Sequence, residues 1–284
     1  MIEGEYIKNN TVFAKPSKKS INGLFLRNVV FITSDRLREN LETLMMEKDI
    51  NTIRLTDDYK LDNLDFLNDY DLSFIRSIDV LSDSIKNIDG LYNLLNIESI
   101  NSTNQNIDYS RFPKLRSIGG ELSSFSYITL LNVETLETIG ISNKFKEKDV
   151  TIFSKNKGLK YLMLRGSKIT SLKGLENFKE LRCLELFHNN HITSLEGITE
   201  EHNESLKEIS IYKASKLFYV DEYLSKLPNL EHLQLECKKV DSFRFLNSLR
   251  NLKLLSIHNK LTQVEDGDKI PLIEGLERTN GKIW

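Results

Sequence analysis

The residues whose types suit chemistry are few and scattered. His188-Asn-Asn-His191 places two imidazoles three residues apart, a spacing that can share a metal on a helix. The surrounding sequence reads as a bend, however, with no cysteine or carboxylate beside either ring, so a solvated turn is the expectation. Gly166-Ser167-Lys168 lacks the first glycine and the spacing of a phosphate loop. No G-x-S-x-G elbow is present. Carboxylates are plentiful, but none is marked by spacing as half of an acid/base couple. These residues imply no enzyme, no metal and no cofactor. A competing class, an enzyme or its substrate-recognition subunit, would need a pocket lined by His188, His191 and acidic residues.

Cys183 and Cys237, the two cysteines, fall two repeats apart in the register given below. Their strands should then lie roughly 10 Å apart, beyond the ~7 Å Cα limit of a disulfide. Two free thiols in a reducing compartment are expected. The net charge of −2 and pI near 6.3 do not describe a nucleic-acid binder, whose domain usually has a pI above about 9. Basic residues cluster at Lys15, Lys18 and Lys19, but the chain as a whole carries 41 acidic against 39 basic residues. The N-terminus lacks the basic-then-apolar layout of a secretory signal, and no run approaches the ~20 apolar residues of a membrane helix. The expected location is the cytoplasm, with no membrane partner.

What would position any functional side chain is a repeat. The spacing L-x-x-L-x-L, with L any large aliphatic residue, begins at 50, 75, 97, 115, 136, 159, 181, 206, 230 and 252, at intervals of 18 to 25 residues. Leu159-Leu162-Leu164, Leu181-Leu184-Leu186 and Leu206-Ile209-Ile211 are clear copies. Ile97-Ile100-Ser102 and Leu115-Ile118-Gly120 are weaker ones. The last two aliphatics of each copy share one face of a short strand, and the first enters the same core from the preceding bend. One coil cannot bury its apolar edge alone, whereas stacked coils pair strand to strand at about 4.8 Å and bury a continuous core. Ile88-Asp-Gly-Leu91, Leu172-Lys-Gly-Leu175 and Leu195-Glu-Gly-Ile198 place a glycine between aliphatic anchors in the return segments, where a tight turn is needed.

The run from Leu159 to Ile198 resembles the short-repeat, internalin-like class of leucine-rich repeat proteins, and the resemblance extends from about Ile50 to about Thr262. It implies an α/β leucine-rich repeat solenoid with a parallel sheet on its concave face. The class places an asparagine three residues after the last strand aliphatic, and here only Asn189 stands there. Asp58 and Asp83 could substitute, while Ser167, Ala214 and Lys238 occupy the place elsewhere. A broken ladder, the 18-residue repeat from Ile97 and an insertion around Lys144 to Asp149 predict irregular curvature.

An open solenoid needs caps. Residues 1–49 are expected to form the N-terminal one, 50–262 about ten repeats, and 263–284, with Trp284, the C-terminal one. Strands over Glu5–Lys8 and Thr11–Ala14 with a turn at Asn9-Asn10 are predicted. So is a helix from Arg36 to Glu47, capped by Ser34-Asp35 and burying Leu37, Leu41, Leu44 and Met45.

The register also says which side chains leave the core. The first copies expose small ones: Thr52, Arg54, Thr56, then Ser77, Asp79, Leu81, then Ser99, Asn101, Thr103. Later copies offer Tyr161, Met163, Arg165; Cys183, Glu185, Phe187; Glu208, Ser210, Tyr212; His232, Gln234, Glu236; and Leu254, Ser256, His258. Tyrosine, arginine and methionine are enriched at interfaces. The expected partner-binding set is therefore Tyr161, Met163, Arg165, Glu185, Phe187, His188, Tyr212, His232, Gln234 and Glu236. The implied function is a protein-binding module acting as a monomer by surface occupation. The Asn-, Ile- and Lys-rich composition is compatible with an AT-rich bacterial gene. In that setting a bacterial immunity protein that neutralises a toxin is one expected role, with a regulatory adaptor or host-directed effector as alternatives.

Overall fold

A computed structural model describes residues 5–8, 11–14, 28–47, 49–103, 105–143, 145–258, 263–264, 276 and 278–279. Asn9-Asn10, the lysine cluster at 15–19, Lys144 and Trp284 lie outside the described residues. Two compact units, Met1–Leu136 and Glu137–Trp284, divide the chain.

In the first unit, β1 (Glu5–Lys8) and β2 (Thr11–Ala14) pair antiparallel, as their sequence predicts. β3 (Val29–Phe31) pairs antiparallel with β2 and parallel with β4 (Thr52–Leu55), turning the cap into the repeat direction. β5 (Ser77–Val80), β6 (Ser99–Thr103) and β7 (Ser117–Glu121) follow in parallel, pairing like with like: Ile53 with Ile78, Ile78 with Ile100, Ile100 with Ile118. In the second unit β8 (Thr138–Ser142), β9 (Tyr161–Arg165), β10 (Cys183–Phe187), β11 (Glu208–Ala214) and β12 (His232–Cys237) are likewise all parallel in order. A two-residue strand β13 (Lys239–Val240) precedes β14 (Leu254–Ile257), which pairs with β12. β15 (Gln263–Val264) pairs with β13, and β16 (Arg278–Thr279) with β14. Every aliphatic residue of the ten copies is buried. The fold is that of a leucine-rich repeat solenoid.

Return segments are mostly single 3-10 turns, such as Asp89–Asn93 and Leu175–Asn177. The glycines of these segments are required by geometry. Gly197 has φ +111°, and a Cβ on it would stand 2.0 Å from the Leu172 carbonyl oxygen of the neighbouring coil.

Several local expectations are corrected. The first helix, α1, spans Leu37–Met46, and no side chain caps it. The Ser34 hydroxyl instead accepts from the Lys60 N–H. Leu41 and Leu44 are buried, but Met45 is 40% exposed; Asn40 turns inward, accepting from the Thr33 N–H at 3.0 Å and donating to Thr11 Oγ1 at 3.0 Å. Asp58 and Asp83 are both exposed and do not fill the ladder place. Ser82, one residue earlier, takes that work and donates to the Tyr59 carbonyl at 2.6 Å. Gln105, at the ladder place of the short repeat, is buried and donates to the Ser82 carbonyl at 3.3 Å.

The short repeat closes by a different device. Where Ser102 and Gly120 stand in place of aliphatics, Tyr109 fills the core with its hydroxyl 3.2 Å from Ser102 Oγ, and burial pushes that phenol up to about 12. A second helix, α2 (Ser124–Leu130), replaces the usual return turn. Its Ser126 hydroxyl accepts from the Ile107 N–H at 2.8 Å and donates to the Gln105 carbonyl at 2.8 Å.

Candidate partner-binding face

Alternation along the parallel strands leaves one sheet face free of the aliphatic core. In the first unit that face is lined by small or internally satisfied side chains. Ser77 and Ser99 are buried, and Asp79 is 0% exposed. The Arg54 guanidinium reaches Asp79 at 2.7 Å and lies 5.3 Å from the centre of the Phe31 ring. This ion pair is complete within the face.

In the second unit the corresponding strand positions carry larger groups, because the sequence puts an aromatic or long side chain at most of them. In register across β9, β10, β11 and β12, Tyr161 meets Cys183, Glu208 and His232; Met163 meets Glu185, Ser210 and Gln234; Arg165 meets Phe187 and Tyr212. Tyr161, Met163, Glu185, Phe187, Tyr212, His232 and Gln234 are half-buried, and Arg165 and His188 are exposed. The Arg165 guanidinium lies over Phe187 at 5.8 Å, within cation–π reach. His188 meets Tyr212 edge to face at 5.6 Å, and Tyr212 meets His258 in the same way at 5.6 Å. The nine residues other than Glu236 thus share one accessible surface, while Glu236, expected to be open, is only 6% exposed.

The ends of these strands turn through a column of left-handed residues: Asn143, Gly166, His188 and Lys213 have φ between 55° and 65°. The Gly166 N–H donates to the Phe187 carbonyl at 2.8 Å, and the His188 N–H to that of Tyr212 at 2.8 Å. Gly166-Ser167-Lys168 is therefore a strand-end bend. His188 and His191 are both exposed in the following bend, and among the described residues no three histidine, cysteine, aspartate or glutamate side chains gather as metal ligands.

Among the described charged side chains of this face, the carboxylates Glu185, Glu208 and Glu236 outnumber the single guanidinium of Arg165. The Tyr161 hydroxyl donates to Glu185, and burial, followed by that carboxylate, holds the phenol above its ordinary range. Cys183, expected on the open face, is covered there, 7% exposed with its thiol 4.0 Å from Glu208 Oε2. Burial first, then Glu185 and Glu208, push its thiol up, so it stays protonated and is a poor nucleophile. Cys237 is buried on the core side with its thiol 3.6 Å from the Lys239 carbonyl, and no disulfide joins it to Cys183. Among the described residues no helix is long and apolar enough to cross a membrane.

Residues 157–200 match the family described as leucine-rich repeats (two copies). No curated protein matches the chain in sequence. Among solved structures, an internalin from Listeria monocytogenes is similar over 90% of this chain and 74% of its own, with TM-score 0.59 and 15% identity. A leucine-rich repeat protein from Leptospira interrogans aligns over 79% of this chain and 82% of its own, with TM-score 0.33 and 14% identity. The likeness to the internalin is one of fold.

Proposed function

We propose that this leucine-rich repeat protein is a protein-binding module that acts by occupying a partner's surface, without catalysis of its own. The observation that carries the reading is the face of β9–β12. There Tyr161, Met163, Phe187 and Tyr212 remain half-exposed on adjacent strands, with Arg165 and His188 exposed beside them. Large, rigid amphipathic side chains held on a sheet lose little conformational freedom on binding and are typical interface anchors. The first unit offers no comparable row on the corresponding positions.

Affinity capture from the native cell with wild-type chain and with Phe187→Ala plus Tyr212→Ala tests the reading. The expected outcome is a protein retained by the wild type and lost by the variant, whose thermal midpoint stays within a few degrees. Retention of the same proteins by both chains would move the site elsewhere. Blocking a toxin's functional surface is occupation of this kind. Rescue of growth on co-expression with a toxin from a neighbouring gene would establish that role, and no rescue removes it.

A further inference from the structure

Three carboxylates, Glu185, Glu208 and Glu236, stand on the open face of the second unit. Two have partners there: Glu185 accepts from Tyr161, and Glu208 Oε1 lies 3.4 Å from His232 Nδ1. Glu236 is different. It is 6% exposed, and its fully shielded Oε2 has no hydrogen-bond partner. A buried carboxylate oxygen without a partner is an unmade bond that something else must compensate.

Its surroundings indicate what that compensation is. Leu235 pairs with Ile211 of β11 and Ile257 of β14. The residues that follow, Tyr212 and His258, therefore flank Glu236, and their rings meet edge to face across β12. The register of β11 shifts between Ile211 and Ala214. Lys213 in that bulge sends its ammonium over the Tyr212 ring, 5.2 Å from its centre, so this ring already accepts a cation. His258 is half-exposed, held through Nε2 at 3.3 Å from Gln234 Nε2 and 3.4 Å from Ser256 Oγ.

The first unit contains the completed form of such an arrangement. There a buried carboxylate (Asp79), a guanidinium (Arg54) and an aromatic ring (Phe31) lie in sequence on the open face. Among the described residues, the second unit has the carboxylate and the rings, and no guanidinium between them.

We propose that Glu236, Tyr212 and His258 receive an arginine side chain of the bound protein, the His258 ring swinging aside to admit it. A planar guanidinium can bond the carboxylate through two N–H groups while lying against Tyr212; an ammonium offers no such fork. The inference rests on the protein-binding reading and names the partner's chemistry.

The test titrates the full chain with N-acetylarginine methylamide and follows the Tyr212 and His258 ring signals by NMR at one fixed pH. N-acetylcitrulline methylamide, of similar shape and uncharged, is the control. Saturable binding of the arginine probe, at least about tenfold tighter than citrulline, is expected, because charge-assisted bonds are roughly twice as strong as neutral ones. Glu236→Gln should abolish that preference, and Tyr212→Leu should weaken the arginine probe several-fold. Glu236→Gln should also melt no lower than wild type, as befits a residue kept for a ligand at a cost to the free fold. Equal binding of the two probes, undiminished arginine binding by Glu236→Gln, or a fall in its melting point would each overturn the proposal. If the double alanine variant loses its captured partner while the arginine probe fails to bind, the binding face stands and this inference falls. If the probe binds and capture is unchanged, the arginine receptor stands and the placement of the partner falls.

Discussion

Replacing Asn189 by alanine removes three hydrogen bonds from the interior of the bend that follows β9. Asn189 is 0% exposed. Its Oδ1 accepts from the Ser167 N–H at 2.8 Å and the Ser167 hydroxyl at 2.6 Å, and its Nδ2 donates to the Leu164 carbonyl at 2.7 Å. Each bond is worth about 0.5–1.5 kcal/mol net, and a buried donor left without an acceptor costs a further 1–3 kcal/mol or so. Ser167 is itself buried, so its N–H is stranded, and the loss comes to about 3–5 kcal/mol. Ser167→Ala is the reference. It removes only the hydroxyl bond and should cost about 1 kcal/mol. Urea unfolding followed by circular dichroism measures both, and at a slope of about 1–3 kcal/mol per molar urea the Asn189 variant should lose one to several molar in midpoint. A variant no less stable than Ser167→Ala would refute the claim that one asparagine closes this bend.

Gly197→Ala should cost about 2–4 kcal/mol, since it adds a side chain at a left-handed position against the Leu172 carbonyl. Gly158→Ala, whose added Cβ meets nothing within 4 Å, should change stability by less than about 0.5 kcal/mol; thermal melts compare the two. His202 is buried, with Nε2 3.1 Å from the Leu175 carbonyl and Nδ1 accepting from the Thr199 N–H at 3.1 Å, and burial lowers its pKa. The unfolded chain therefore takes up the proton first, so stability is whole above about pH 6.5 and falls as pH drops toward the folded pKa. His202→Gln, which does not titrate, should flatten that slope in melts between pH 7.5 and 5; an unchanged slope would rule His202 out as its source.

The core was legible because the same burial problem recurs once per coil: a strand with two inward aliphatics can be read from spacing alone, and each such residue is buried. The ladder was legible only where the class residue stands. Asn189 could be named, but Ser82 works from a neighbouring position, and Gln105 needs a longer side chain that the spacing rule does not mark. The face was legible in register and not in exposure. Cys183 is covered between Tyr161 and Glu208, and Glu236 between Tyr212 and His258, by neighbours one repeat before and one after. Coverage of that kind depends on rotamers across strands, which no local pattern fixes. The helix α2 was missed for another reason. Its Ser126 and Thr129 bond backbone groups of the preceding return, so polar residues hold a segment that apolar spacing would not mark.

The two units answer one question, how to hold a charge on a sheet face, in opposite ways. Asp79 has Arg54 on the next strand and Phe31 beyond it. Binding a second cation there would have to displace a bond already formed. Among the described residues Glu236 has no such cation, and the large side chains around it stay half-exposed, so the proposed partner, bringing a guanidinium and an apolar surface, would gain on both counts. Only contacts left unmade in the free protein contribute net affinity, since those already satisfied are merely exchanged. If the proposed partner site holds, that criterion concentrates the binding energy on β9 to β12 and β14, and the shielded Oε2 of Glu236 selects the kind of side chain that collects it.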